Sequence, residues 1–147
     1  MRKVEAAIDI DQPASKIFDA FTEPSLLRSW WGVERCLIEK KQGGLYSLAW
    51  EASNKSFHYV STGIITVFIP GKELLVDHFV YFNPDKKILG PTYLSIRLTE
   101  NESKTTLHLV QGGYQSGDDW DWFYDSVKDA WPKVLISLKD FLMTHSS

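Results

Sequence analysis

Histidine, glutamine and tyrosine side chains are where this chain could do chemistry. His58, His78, His108 and His145 stand 20, 30 and 37 residues apart, a spacing that matches neither HExxH nor any short metal-ligand pattern, so no metal is expected. His78 shares strand parity with Leu74, Val76, Val80 and Phe82. If those residues face the interior, His78 points there too and could bind a polar group or move a proton. The plainer alternative is a buried histidine bonded to a neighbour. Gln111 follows Leu107 and Leu109 inward by the same parity, placed either to orient a ligand oxygen or to make a structural hydrogen bond. Of the tyrosines, Tyr46 could converge with His78, whereas Tyr81 has the opposite parity and could do so only if its strand bulges.

Other motifs are excluded. The run Gly113-Tyr114-Gln115-Ser116-Gly117 has its serine one place too late for a GxSxG nucleophile elbow. Neither GxGxxG nor GxxxxGK[ST] occurs, so no cofactor is expected, and no residue is assigned a catalytic role. Asp121, Asp125 and Asp129 recur at i, i+4 and i+8, and residues 118–130 hold five aspartates against Lys128, a local charge of −4. Such a row reads first as a solvated helix face and second as a surface for a basic partner.

Aromatic residues are the compositional outlier, with six Trp, six Tyr and eight Phe among 147 residues. They either fill the interior or line a hollow. Trp30 and Trp31 are adjacent, so a short helix cannot turn both inward: either both simply pack across the helix end, or one belongs to the core and the other to a pocket rim or exposed patch. The formal charge is −3 and no basic cluster exceeds a pair, which argues against nucleic acid and anionic membrane as partners. One cysteine, Cys36, precludes an internal disulfide. With no signal peptide and no run of eighteen apolar residues, the expectation is a cytoplasmic protein without membrane insertion.

The elements that must position these groups follow from periodicity. Val4, Ala6, Ile8 and Ile10 alternate with polar or small residues and predict a strand. Pro13 and Pro24 each suit a first helical position, and Gly32 is a natural stop, which predicts two short helices. Strands are expected over Val33 to Lys40, Leu45 to Ala52, Phe57 to Ile69, Glu73 to Phe82, Thr92 to Thr99 and Thr105 to Gln111. They are separated by the turn signals Gln42-Gly43-Gly44, Ser53-Asn54-Lys55, Pro70-Gly71, Asn83-Pro84-Asp85 and Asn101-Glu102-Ser103. From Tyr124 through Val127, Trp131, Val134, Leu135, Leu138, Phe141 and Leu142 the period becomes that of a helix, kinked at Pro132. The sum is an α+β single domain over residues 1–147, an antiparallel sheet of six or seven strands with a long C-terminal helix across one face.

Several segments, in order along nearly the whole chain, carry a resemblance: IDIDQPASKIFDAFTEP, LLRSWWG, KQGGLYSL, the stretch from Gly63 through Pro70 to Leu74, SIRLTENESKTTLHLVQGG and WPKVLISLKDFL. Together they resemble the START-like, or Bet v 1-like (SRPBCC), helix-grip superfamily, in its heat-shock ATPase activator homologue-like branch. Gln111 stands where relatives often carry His or a carboxylate. The resemblance implies a curved sheet gripping the last helix around an apolar pocket.

Placed on that geometry, the pocket wall is expected to include Phe21, Trp30 and Trp31 from the short helices and Tyr46, Leu48 and Trp50 from the strand after them. Val76, His78 and Val80 would come from the middle of the sheet, and Leu94, Ile96, Leu109 and Gln111 from the strands beyond. Tyr124, Val127, Trp131 and Leu135 would close it from the terminal helix. The expected function is non-catalytic binding of a small hydrophobic, aromatic or lipid-like molecule by a monomer or weak homodimer. The alternatives are a co-chaperone-like module that docks on a chaperone, and an enzyme of the polyketide cyclase or hydratase type using His78 with Tyr46 or Tyr81.

Overall fold

Alternation at the N-terminus produces β1 (Arg2–Ile10), with Val4 and Ile10 buried and Lys3, Glu5, Ala7 and Asp9 exposed. The computed structural model describes residues 1–51 and 58–144. The expected turn at Ser53 to Lys55, the strand ends at Ala52 and Phe57, and His145 lie outside the described residues. Helix α1 (Ala14–Thr22) follows Pro13, which sits at its cap with ψ of 151° rather than inside the first turn. No side chain of the preceding loop caps this helix; the Ala14 N–H donates to Glu100 Oε1 at 2.6 Å instead. Helix α2 (Pro24–Trp31) has proline at its start and ends on Gly32 in the left-handed conformation at φ 70°.

Among the described residues six further strands follow, β2 (Arg35–Ile38), β3 (Leu45–Glu51), β4 (His58–Ile69), β5 (Glu73–Phe82), β6 (Leu89–Asn101) and β7 (Lys104–Tyr114), and α3 (Asp118–Thr144) is the last element. All pairs are antiparallel in the order β1-β7-β6-β5-β4-β3-β2, a curved seven-stranded sheet. β1 and β2 are thus opposite edges, and α1 and α2 span the distance between them. The sheet grips α3, which runs as one helix through Pro132. This is the helix-grip α+β architecture expected from the sequence, with β2 shorter than predicted and β6 and β7 longer.

Most of the interior is filled. Leu94, Ile96, Leu98, Leu107 and Leu109 of β6 and β7 are buried, as are Leu135, Leu138 and Leu142 of α3. At the α1–α2 end Phe18 meets Phe68 edge-on at 5.3 Å and Phe21 meets Trp30 at 5.5 Å. Truncating a buried leucine in such packing costs about 2–5 kcal/mol. Among the described residues no helix is long and apolar enough to cross a membrane.

Candidate functional site

Space remains between β3–β5 and the middle of α3, where a cavity of about 160 Å³ is walled mainly by aromatic rings. Its first wall is Trp31, the last residue of α2. Adjacent residues on a helix point about 100° apart, and the pair divides its work accordingly. Trp30 is buried and donates its indole N–H to the Ala20 carbonyl at 2.8 Å. Trp31 stacks on it at 5.2 Å with 13° between planes and turns to the cavity. There it meets Trp50 at 5.1 Å and Trp131 at 5.4 Å, joining α2, β3 and α3 through three indoles. Trp50 also donates its indole N–H to the Trp31 carbonyl at 3.2 Å, which fixes its ring against the α2 terminus.

The second wall depends on an irregularity in β5. Thr62 pairs with Val80 while Ile64 pairs with Asp77, so Gly63 alone faces both His78 and Phe79. Two residues against one is a β-bulge. His78 takes the extra place with φ 52°, and a Cβ on Gly63 would lie 2.7 Å from the Asp77 carbonyl oxygen and 2.8 Å from Val76 Cγ1. The bulge reverses parity beyond it. Phe79 and Tyr81 turn into the cavity, His78 is exposed, and Val80 and Phe82 go with the outer face. The expectation that His78 and Val80 line the pocket is therefore corrected: simple alternation from Leu74 and Val76 fails once one residue is inserted.

Gln111 does point inward, and it is held. The Trp131 indole N–H donates to Gln111 Oε1 at 2.9 Å, and Gln111 Nε2 lies 3.5 Å from the Thr92 hydroxyl. Thr92 in turn donates to the Phe79 carbonyl at 3.1 Å, so the network ties α3 and β7 to β6 and the bulge. Ser61 adds one hydroxyl to the wall. From α3 come Phe123, Val127, Ala130, Trp131 and Val134, with Ala130 exposed at the opening.

Of the expected wall, the structure brings Trp31, Trp50, Gln111, Val127 and Trp131 together around the cavity. Phe21, Trp30, Tyr46, Leu48 and Val76 are instead packed core, and so are Leu94, Ile96, Leu109 and Leu135. Tyr124 packs edge-on against Tyr114 at 5.5 Å, under the Arg2 guanidinium at 4.4 Å. Phe79, Tyr81, Phe123, Ser61, Ala130 and Val134 complete the lining and were outside the expected wall, Tyr81 entering it through the strand bulge on which its inward turn depended. The α3 members were legible, because Phe123, Val127, Ala130 and Val134 continue the three-and-four spacing of Trp131 and Leu138 back into the acidic segment. Phe79 and Tyr81 were not, since nothing local marks the bulge.

The lining carries little ionisable chemistry. Tyr81 stacks on Phe123 at 4.9 Å, its hydroxyl accepts from Asn83 Nδ2 at 3.3 Å, and burial pushes its phenol above the usual range. Tyr46 donates to the Phe21 carbonyl at 2.7 Å, its acidity suppressed by complete burial, and it does not converge with the exposed His78. Among the described residues no group of three His, Cys, Asp or Glu could hold a metal ion.

The sequence matches the family model described as Activator of Hsp90 ATPase homolog 1-like protein over residues 11–143, and the chain belongs to that family. No curated protein sequence matches it. Among solved structures, a protein of Mesorhizobium loti superposes with a TM-score of 0.78 at 19% identity, covering 99% of this chain and 100% of the other. The Aha1 dimer from Colwellia psychrerythraea gives 0.73 at 20% identity, with 100% of both chains covered. CalU16 from Micromonospora echinospora gives 0.69 at 19% identity, covering 96% of this chain and 76% of the other. At these identities the likeness is one of fold.

Proposed function

We propose that this member of the Activator of Hsp90 ATPase homolog 1-like family binds a small aromatic molecule between its sheet and α3 and does not transform it. The observation that carries the reading is the aromatic cavity of about 160 Å³. An apolar cavity of about 150 Å³ is large enough to take up benzene, so this one suits a guest of one ring and a short substituent. Trp31, Trp50 and Trp131 offer it ring faces and edges, and Ser61, Tyr81 and Gln111 bring polar side-chain groups to the wall. What favours binding over catalysis is the character of the wall. Among the described residues its one titratable group is Tyr81, which burial makes a weaker acid, and none of them lining the cavity is a general acid or base near pH 7.

The test is titration with toluene and indole, read by tryptophan fluorescence and by the indole N–H signals in a heteronuclear NMR spectrum. Saturable shifts centred on Trp31, Trp50 and Trp131 are expected. No shift up to the solubility limit of either probe overturns the reading.

A second reading, docking on a chaperone, draws on the family and on the exposed aspartates Asp125 and Asp129 of α3. It predicts a complex that weakens steeply with salt and is lost in Asp125→Lys/Asp129→Lys. A complex indifferent to both would remove it.

A further inference from the structure

The polar atoms at the cavity wall restrict the guest further. Trp131 Nε1 can only donate, so its 2.9 Å contact fixes the Gln111 carboxamide with oxygen toward the indole and nitrogen away from it. The amide nitrogen carries two hydrogens. Among the described residues at most one is used, in the 3.5 Å approach to Thr92, which is at the outer limit for such a bond. The Trp50 indole N–H is spent on the Trp31 carbonyl. Gln111 is thus an oriented donor with an N–H to spare, 5% exposed and set in an apolar wall.

Charge narrows the choice from the other side. Among the described residues neither Lys, Arg nor His lines the cavity to neutralise an anion, and neither Asp nor Glu lines it to neutralise a cation. Burying an unpaired charge costs far more than burying a hydrogen-bonded neutral group.

Resting on the binding reading above, we infer that the guest is a neutral one-ring aromatic compound bearing a hydrogen-bond acceptor, a carbonyl oxygen or its equivalent, which the Gln111 Nε2–H meets. The ring lies among the indoles and the acceptor points to β7. A phenylalkyl ketone has this form; benzoate and benzyltrimethylammonium have the size but the wrong charge.

Acetophenone and its isostere α-methylstyrene are the probes, with the carbonyl stretch of bound acetophenone recorded by infrared difference spectroscopy. The carbonyl band is expected below its position in hexane, and Gln111→Met should return it to the hydrocarbon value. The same substitution should weaken acetophenone relative to α-methylstyrene by about 3–10-fold. Bound acetophenone with an unshifted carbonyl in the native protein overturns the inference while leaving the binding reading intact, and needs no variant. A shift that survives Gln111→Met, or tighter binding of benzyltrimethylammonium than of acetophenone, overturns it equally. Failure of both neutral probes to bind overturns the parent reading instead.

Discussion

The indole N–H of Trp131 donates to the carboxamide oxygen of Gln111 at 2.9 Å, joining the middle of α3 to the end of β7 at the cavity wall. The bond performs two tasks. It anchors the long helix beside a hollow where apolar packing is incomplete, and it sets which face of the amide a guest would meet.

Trp131→Phe keeps most of the ring and removes the donor. The Gln111 oxygen is then buried without its partner, and stability should fall by about 1–3 kcal/mol in urea unfolding. An unchanged midpoint would show that Gln111 finds another donor and that the bond does not hold α3.

Ala130→Phe places a ring in the opening, where the native side chain is exposed. Toluene binding should be lost while the melting temperature stays level or rises, since added apolar contact fills empty space. Retained binding would place the guest elsewhere.

The bulge in β5 makes opposite predictions at its two sides. His78→Gly removes the left-handed strain of a side chain at φ 52° and should stabilise by about 0.5–1 kcal/mol, with toluene affinity unchanged. Gly63→Ala should destabilise and weaken binding together, because its Cβ would meet backbone at 2.7 Å and drive Phe79 from the wall. If His78→Gly abolished binding, the outward histidine would have a role at the site.

Two buried tyrosines should respond oppositely to loss of their hydroxyls. Tyr46 donates to the Phe21 carbonyl at 2.7 Å, and Tyr46→Phe should cost about 1 kcal/mol or somewhat more. The Tyr114 hydroxyl is buried with no hydrogen-bond partner among the described residues, so Tyr114→Phe should be neutral or stabilising at pH 7.

Burial raises both phenols above the ordinary value of 10.0, so the folded state holds these protons more tightly than the unfolded chain does. Their contribution is fully present below pH 10 and is lost as pH rises beyond it. Urea midpoints measured from pH 8 upward should therefore decline above pH 10, and decline less in Tyr114→Phe. Parallel curves for the two proteins would refute the assignment.

Much of this fold was legible because its signals are local. Pro24 and Gly32 bound α2, alternation marks β1 and β3, and the three-and-four spacing around Trp131 marks α3; each reflects backbone geometry that neighbouring residues impose on one another. The inward direction of Gln111 followed from parity on an uninterrupted strand. Parity misplaced His78 and Val80, and hid Phe79 and Tyr81, for one reason: the extra residue in β5 is accommodated across the strand pair by Gly63, fifteen residues away in the chain.

Sequence by itself determined the elements, their order and the aromatic supply for an interior. Which aromatic rings fill that interior and which surround open space was decided only when β4 and β5 paired out of register and α3 settled over them, because a cavity is a property of surfaces brought together and belongs to no single segment.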